Sequence, residues 1–95
     1  MGQLQLAPYE PGTRTATLAA GSWSSATPPT QILTVIGVTS SNTIIVGLAD
    51  SITGNQLEAA QKASIRCTGQ SAGEITLTCY GIEPEENIPI SVVIL

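Results

Sequence analysis

Apolar and polar residues alternate with a period of two along most of this chain, and this alternation constrains the fold more than any other feature. It runs through TRTATLAA (13–20), TQILTVIGV (30–38), SIRCTGQ (64–70), EITLTCY (74–80) and IPISVVIL (88–95). The segment TIIVGL (43–48) is instead a nearly continuous apolar run, which is typical of a strand buried on both faces or covered by a partner on one. A period of two is that of a half-buried β-strand, and the abundant valine, isoleucine and threonine favour strands. The pattern therefore predicts six strands.

One segment, DSITGNQLEAAQKASI (50–65), has the period of a helix instead. Its apolar stripe consists of Leu57, Ala60 and Ala63. Glu58 and Lys62 lie four residues apart on the opposite face, where they can pair. We therefore predict one short helix within residues 54–63, with Asn55 as its N-cap and Glu58 completing a capping box.

Strands separated by a helix and by long loops must pair with partners distant in sequence. The expected fold is all-β, an Ig-like or jelly-roll-like two-sheet sandwich with one short helix. Residues 1–12 contain two prolines and end in the turn signal EPG, so we expect an extended N-terminal arm there. Residues 13–95 then form the β-sandwich domain.

The charge balance disfavours two classes of partner. The net charge is −4 and there are only three basic residues, so little would offset repulsion by the phosphates of nucleic acid or by an anionic membrane. The start MGQLQLAPYEPG lacks the basic and apolar regions of a signal peptide, and the apolar runs are too short to span a bilayer. We expect neither nucleic acid nor membrane as a partner.

The chain also offers little for catalysis. Histidine is absent, and the only lysine, Lys62, lies on the face of the helix predicted to be exposed. Glu83, Glu85 and Glu86 flank Pro84, where a solvated loop is favoured over a pair of catalytic carboxylates. We therefore expect a non-enzymatic protein with no cofactor and no metal site.

The two cysteines, Cys67 and Cys79, lie 12 positions apart on neighbouring predicted strands. The face predicted to point to the core carries Ile65, Cys67, Gly69, Ile75, Leu77 and Cys79. A zinc site needs about four ligands, and a redox pair usually has C-x-x-C spacing. We predict two buried, reduced thiols, as in a reducing cytosol, and a cross-strand disulfide remains an alternative.

Trp23 is the one tryptophan, in the loop GSWSSATPP (21–29). It could present a surface contact, such as a platform on which a sugar stacks. It could equally cap the core under its loop, and this is favoured because a chain without phenylalanine needs the volume.

Two motifs follow one another in order: a tryptophan with PPTQILTVIGVT, and later CTGQSAGEITLTC. Together they resemble a small β module of phage and prophage structural proteins, often the C-terminal domain of fibre-like or head-fibre-like chains. The family pattern is W…APYTQ-x-V-x-V-x-GVT, then C-x-AQ-x-x-G-x-LTF-x-C. The matching positions, within residues 15–95, are Trp23, Pro28, Thr30, Gln31, Val35, Gly37, Val38, Thr39, Cys67, Gln70, Gly73, Thr76 and Cys79. Pro29 and Leu77 depart from it, standing where the family often has tyrosine and phenylalanine.

The resemblance implies a phage virion protein, made in the host bacterial cytoplasm, that decorates the capsid or forms a head fibre. Its partner would be the major capsid protein or another virion protein. One alternative is the tip module of a tail fibre, which would bind a receptor or a host cell-surface glycan. Another is a bacterial Ig-like adhesion module, which would need a secretion signal. The 95 residues contain no coiled coil or shaft, which favours decoration if they are the whole gene product and the tip module if they are a fragment.

The strands TIIVGL and ISVVIL contain no charged residue and offer more apolar surface than a small core can cover. We therefore predict a symmetric homo-oligomer, with a trimer favoured. The arm carries Leu4, Leu6 and Tyr9, which are predicted to dock on a neighbouring subunit or on the capsid.

Overall fold

The structure is a computed structural model, and it describes residues 11–95. The secondary structure in chain order is β1 (Gly12–Leu18), β2 (Thr30–Thr34), β3 (Ile44–Leu48), α1 (Gly54–Ala63), β4 (Ile65–Ser71), β5 (Glu74–Cys79) and β6 (Ile88–Ile94). A short 3-10 turn, Ala20–Ser22, follows β1. The described residues thus confirm an all-β fold with six strands and one short helix.

The strands form two antiparallel sheets of three, in the orders β1-β6-β3 and β2-β5-β4. The core lies between the sheets, and its largest fully buried side chains are Leu18, Ile75, Leu77, Cys79, Ile88, Val92 and Ile94. Every second residue of β6, from Ile88 to Ile94, is buried. The period-two alternation therefore reports a real inner face, and the two-sheet sandwich is confirmed.

The sandwich is closed on the side where β1 lies over β2. Gln31 of β2 is 5% exposed, and its side-chain amide crosses between the sheets to the backbone just after β1. Its Oε1 accepts a hydrogen bond from the Ala19 N–H at 2.9 Å, and its Nε2 donates to the Ala19 carbonyl at 3.1 Å. Nearby, Arg14 Nε donates to the Ile36 carbonyl at 3.0 Å. Side-chain bonds to the backbone thus hold the two sheets together along this edge.

Strand β2, which begins at Thr30, is shorter than predicted. It ends at Thr34, not at residue 38, because the Val35 N–H turns to the carbonyl of Gly73 and Gly37 adopts a φ of 98°. The alternation of TQILTVIGV nevertheless matches the burial, since Ile32, Thr34 and Ile36 are exposed, Val35 is buried and Leu33 is half-buried.

Helix α1 lies within the predicted range, but its N-cap differs. Thr53 is the N-cap: its side chain accepts from the Gln56 N–H at 3.3 Å, and the Gln56 side chain accepts from the Thr53 N–H at 2.9 Å. The prediction of Asn55 and Glu58 was wrong because the helix begins at Gly54. Ile52, one residue before the cap, packs against the core and fixes where the chain enters the helix.

The apolar stripe of α1 is buried only in part. Ala60 and Ala63 are buried, whereas Leu57 is 37% exposed because it lies one turn nearer the solvated start of the helix. At the other end, Gly81 and Ile82 donate backbone hydrogen bonds to the carbonyls of Ala63 and Lys62, at 2.7 and 3.0 Å. The segment after β5 therefore satisfies helix carbonyls that have no partner within the helix.

Candidate functional site

The residues weighed for catalysis lie on the surface around α1. Lys62 is exposed and pairs with Glu58 at 3.2 Å. Glu83, Glu85 and Glu86 are exposed around the buried Pro84. Residues 11–95 contain no group of three or more histidine, cysteine, aspartate or glutamate side chains that could hold a metal ion. Within the same range, no helix is long and apolar enough to cross a membrane.

The two cysteines are both free thiols, but their surroundings differ. Cys79 is 1% exposed, and its thiol donates to the Ala63 carbonyl at 3.3 Å. Burial raises the pKa of the Cys79 thiol and the nearby Glu83 carboxylate adds to this, while a hydrogen bond with the Gly81 backbone opposes it. Cys67 is exposed, so the prediction that both thiols are buried was wrong for Cys67.

The exposure of Cys67 has a structural cause. Cys67 lies opposite Leu77, on the face predicted for both, and Leu77 is fully buried. However, β4 is an edge strand of its sheet, so one side of Cys67 has no neighbouring strand among residues 11–95. The residue faces inward at an edge of the sandwich that stays open.

A β-bulge interrupts β4 just after Cys67. Beyond it, Gly69 lies opposite Thr76 and Gln70 lies opposite Ile75, which is one position out of the register that pairs Cys67 with Leu77. The bulge therefore turns Gln70, not Gly69, toward the inside. This is where the sequence pattern fails, because an extra residue moves every later side chain to the other face.

Gln70 uses this orientation to hold the turn before β3. Its Nε2 donates to the carbonyls of Thr39 and Asn42 at 2.7 and 2.8 Å. Close by, Gly73 accepts a hydrogen bond from Val35 and donates one to Val38, both 2.8 Å long. The two motifs that carry the family resemblance thus meet in space and bond to each other at one end of the sandwich.

The open edge of the sandwich is a groove between β3 and β4, with a volume of about 730 Å³. We call it the β3–β4 groove. Its lining includes Ile44, Val46 and Leu48 from β3, Ile65 and Cys67 from β4, and Leu77 from β5. Leu48 is 42% exposed although it belongs to the inner face of its sheet. Gln61, Ser64, Arg66 and Gln70 also line it, so the groove combines an aliphatic part with polar side chains, and the described residues leave it uncovered.

Further apolar side chains lie exposed outside the groove. They are Ile32, Ile36, Ile45, Leu57, Tyr80, Ile82 and Leu95. Ile45 is 55% exposed on the outer face of β3, so this strand carries exposed isoleucine or leucine on both faces. The prediction of unusually apolar strand surface on TIIVGL holds for the strand as folded, while the oligomer inferred from it stays a prediction.

Trp23 lies half-buried in its loop and packs against the core. Its indole Nε1 is buried and has no hydrogen-bond partner among residues 11–95. The packing is that of a residue capping the core, and its use as a surface contact stays a prediction. Leu4, Leu6 and Tyr9, predicted to form the docking arm, lie outside the described residues.

Sequence reasoning did not find the groove, although part of its signal was available. The predicted hairpin placed Cys67 and Ile65 on an inner face, but burial depends on what lies across from that face. That depends on the strand order, and here the order puts β3 and β4 at the edges of their sheets.

Comparison with models of known protein families, with curated proteins and with solved structures finds no match. The resemblance to a phage β module therefore rests on the two motifs alone.

Proposed function

We propose that this chain is a non-enzymatic structural protein of a phage virion, a capsid decoration or head-fibre protein that projects from the particle surface. The observation that carries the proposal is the β3–β4 groove beside the uncharged edge of β3, which has no partner strand among residues 11–95. Such a surface supports a protein that works by packing against other protein chains.

The chemistry of the groove also supports this role. Its aliphatic side chains come from three strands, and Gln61, Ser64, Arg66 and Gln70 line it as well. Covering the aliphatic side chains with another protein chain removes apolar surface from water, which is favourable.

The positions of the two motifs add a second line of support. Gln31, Gln70 and Gly73 make the bonds that join the two sheets or hold the turn before β3. Because these motif residues make bonds within the fold, we expect the two motifs to be typical of a fold that several proteins share. This is consistent with a structural module whose outer surface, not its motif, determines what it contacts.

Imaging of virions tests the proposal. Particles from a phage that encodes this chain, and from the same phage with the gene deleted, would be compared by electron microscopy. The expected result is an intact capsid that lacks a surface projection in the deletion strain, with the projection restored by complementation. A capsid unchanged by the deletion, with a tail fibre that lost its tip and host adsorption, would favour the tip module instead. The absence of the protein from purified particles would overturn both.

A further inference from the structure

The β3–β4 groove is paired with a free strand edge. In the order β1-β6-β3, β3 pairs only with β6, so the backbone groups on its other side have no partner strand among the described residues. Ile44 and Val46, both half-buried, and the exposed Leu48 line the groove from this strand. An added strand at β3 would satisfy the backbone and cover these side chains together.

Of the four edge strands in the described sheets, β3 is the least protected against strand addition. β1 carries Arg14, β4 carries Arg66 and a bulge, and β2 follows Pro28 and Pro29. Charges, bulges and prolines are the usual means by which proteins block edge pairing. Since β3 has none of them, it is the edge at which an added strand is expected.

The chain contains a segment that fits this position. Residues 3–7, QLQLA, are as many as the residues of β3 and alternate with a period of two. In a strand, Leu4 and Leu6 lie on one face and Gln3 and Gln5 on the other. We propose that residues 3–7 of a second copy add to β3 as an edge strand and place Leu4 and Leu6 in the β3–β4 groove. Pro8 then ends the added strand.

The donor is a second copy because the chain's own arm has a poor path to the groove. Gly12 and Ile44 both lie opposite Ile94, so β1 and β3 begin at the same end of one sheet. A strand added beyond β3 is three strand spacings, about 14 Å, from β1. The link from Ala7 to Gly12 can reach at most about 17 Å when fully extended. This reach leaves almost no slack, and the turn signal EPG at residues 10–12 shortens it.

This inference rests on the proposed structural role, because it names the partner that the groove would take in an assembly of copies. The two can fail separately. A chain that exchanges arms in solution but is absent from virions would contradict the role and leave the exchange standing. A virion protein that stays monomeric in solution would contradict the exchange and leave the role standing.

The first test is the solution mass of the full chain and of matched arm variants, measured by light scattering at micromolar concentration. The pair Leu4→Asn with Leu6→Asn changes the face proposed to enter the groove. The control pair Gln3→Asn with Gln5→Asn makes the same number of changes on the other face. We expect an oligomer for the wild type and for the control, and a monomer for the leucine variant and for a chain lacking residues 1–10. An oligomer that persists without residues 1–10 would overturn the proposal in favour of another surface, such as pairing of two β3 edges.

The second test separates exchange between copies from insertion of a chain's own arm. A chain lacking residues 1–10 is mixed with the full chain carrying Leu48→Glu, which puts a charge at the groove. The full chain carrying Ile45→Glu, on the outer face of the same strand, is the control and should stay oligomeric alone. Circular dichroism confirms that each variant is folded. The mixture should form a 1:1 complex, because one chain supplies the arm and the other supplies the groove. Two separate monomers in the mixture would overturn the proposal.

The thiol of Cys67 gives a third measurement, which does not depend on a groove variant that folds. Because Cys67 lines the groove, a maleimide should label it several times faster in the chain lacking residues 1–10 than in the wild type. Equal labelling rates would contradict the proposal. Slow labelling in a wild-type chain that has the mass of a monomer would show insertion of its own arm and would overturn exchange.

Discussion

Replacing Gln31 tests whether the closed edge of the sandwich is held by a side chain that imitates a β-strand partner. The Gln31 amide makes one accepting and one donating bond to the backbone of Ala19, with lengths of 2.9 and 3.1 Å. Gln31→Ala removes both and leaves a half-buried N–H and C=O without their partner. Each lost net hydrogen bond costs about 0.5–1.5 kcal/mol, and an unsatisfied buried group costs about 1–3 kcal/mol. Since water can reach part of Ala19, we expect a loss of about 2–3 kcal/mol in the free energy of unfolding.

Gln31→Glu gives a sharper version of this test because its effect depends on pH. A protonated carboxyl group can still accept from the Ala19 N–H and donate to the Ala19 carbonyl, whereas a carboxylate can only accept. Burial and the facing carbonyl oxygen therefore raise the pKa of the introduced carboxyl group in the folded protein. The folded state then holds the proton more tightly than the unfolded chain. Stability relative to the wild type is greatest below pH ~4.3 and falls as the pH rises through the folded pKa, by about 1.4 kcal/mol for each pH unit that separates the folded pKa from the unfolded pKa.

The assay is urea unfolding between pH 3.5 and 8, followed by the fluorescence of Trp23, the one tryptophan in the chain. The difference between variant and wild type at each pH removes the contribution of the other carboxylates. Ile32→Thr, a change at the neighbouring exposed position of β2, is the control and should alter stability by less than about 0.5 kcal/mol at every pH. A difference between Gln31→Glu and the wild type that does not change with pH would refute the reasoning.

Three further predictions concern single positions. Gly81→Ala should destabilise the protein by about 1–3 kcal/mol because a Cβ there clashes with the last carbonyls of α1, whereas Gly21→Ala, with open space around its Cβ, should be nearly neutral in thermal unfolding. Thiol titration of freshly isolated, denatured protein should count two thiols per chain, and native protein lacking residues 1–10 should react rapidly at Cys67 and slowly at Cys79; equal rates would contradict the burial difference. In thermal unfolding, Trp23→Phe should lower the stability by less than half as much as Trp23→Ala. The phenylalanine keeps most of the packing, and the change removes an indole N–H that is buried without a partner among residues 11–95. A similar loss of stability for both variants would contradict this prediction.

The period of two was enough to predict the sandwich, because each sheet has one buried face and the pattern reports that face directly. It correctly separated Val35 from Ile32, Thr34 and Ile36, although the strand itself ends at Thr34. Strand ends depend on tertiary bonds, such as the one from the Val35 N–H to Gly73, that no local pattern contains.

The errors at α1 and β4 have different physical origins. Thr53 with Gln56 and Asn55 with Glu58 both fit a capping box, so the sequence offered two helix starts. Packing of Ile52 on the core fixes the entry of the chain and favours the first. In β4, the bulge changed the face of Gln70, and a glycine inside a strand such as Gly69 is a known sign of a bulge.

The candidate site was harder to predict than the fold because it is defined by strand order. The alternation correctly placed Cys67 and Leu77 on one face, but only the pairing of β3 with β6 and of β4 with β5 leaves both strands at one open edge. Local patterns report which residues face inward. They do not report whether another strand lies across from them.

The two edges of this sandwich differ in how they are held, and this difference supports the proposed assembly. On the β1–β2 side, the polar side chains of Gln31 and Arg14 reach across to backbone atoms and close the edge. On the β3–β4 side, the turn before β3 is fixed by Gln70, but the strand itself presents aliphatic side chains with no covering element among residues 11–95. Because the turn before β3 is fixed, we expect the edge of β3 to be rigid. Adding a strand there would then cost little free energy for ordering β3. A chain this short gains stability whenever a partner covers such an edge, so assembly and folding are expected to support each other.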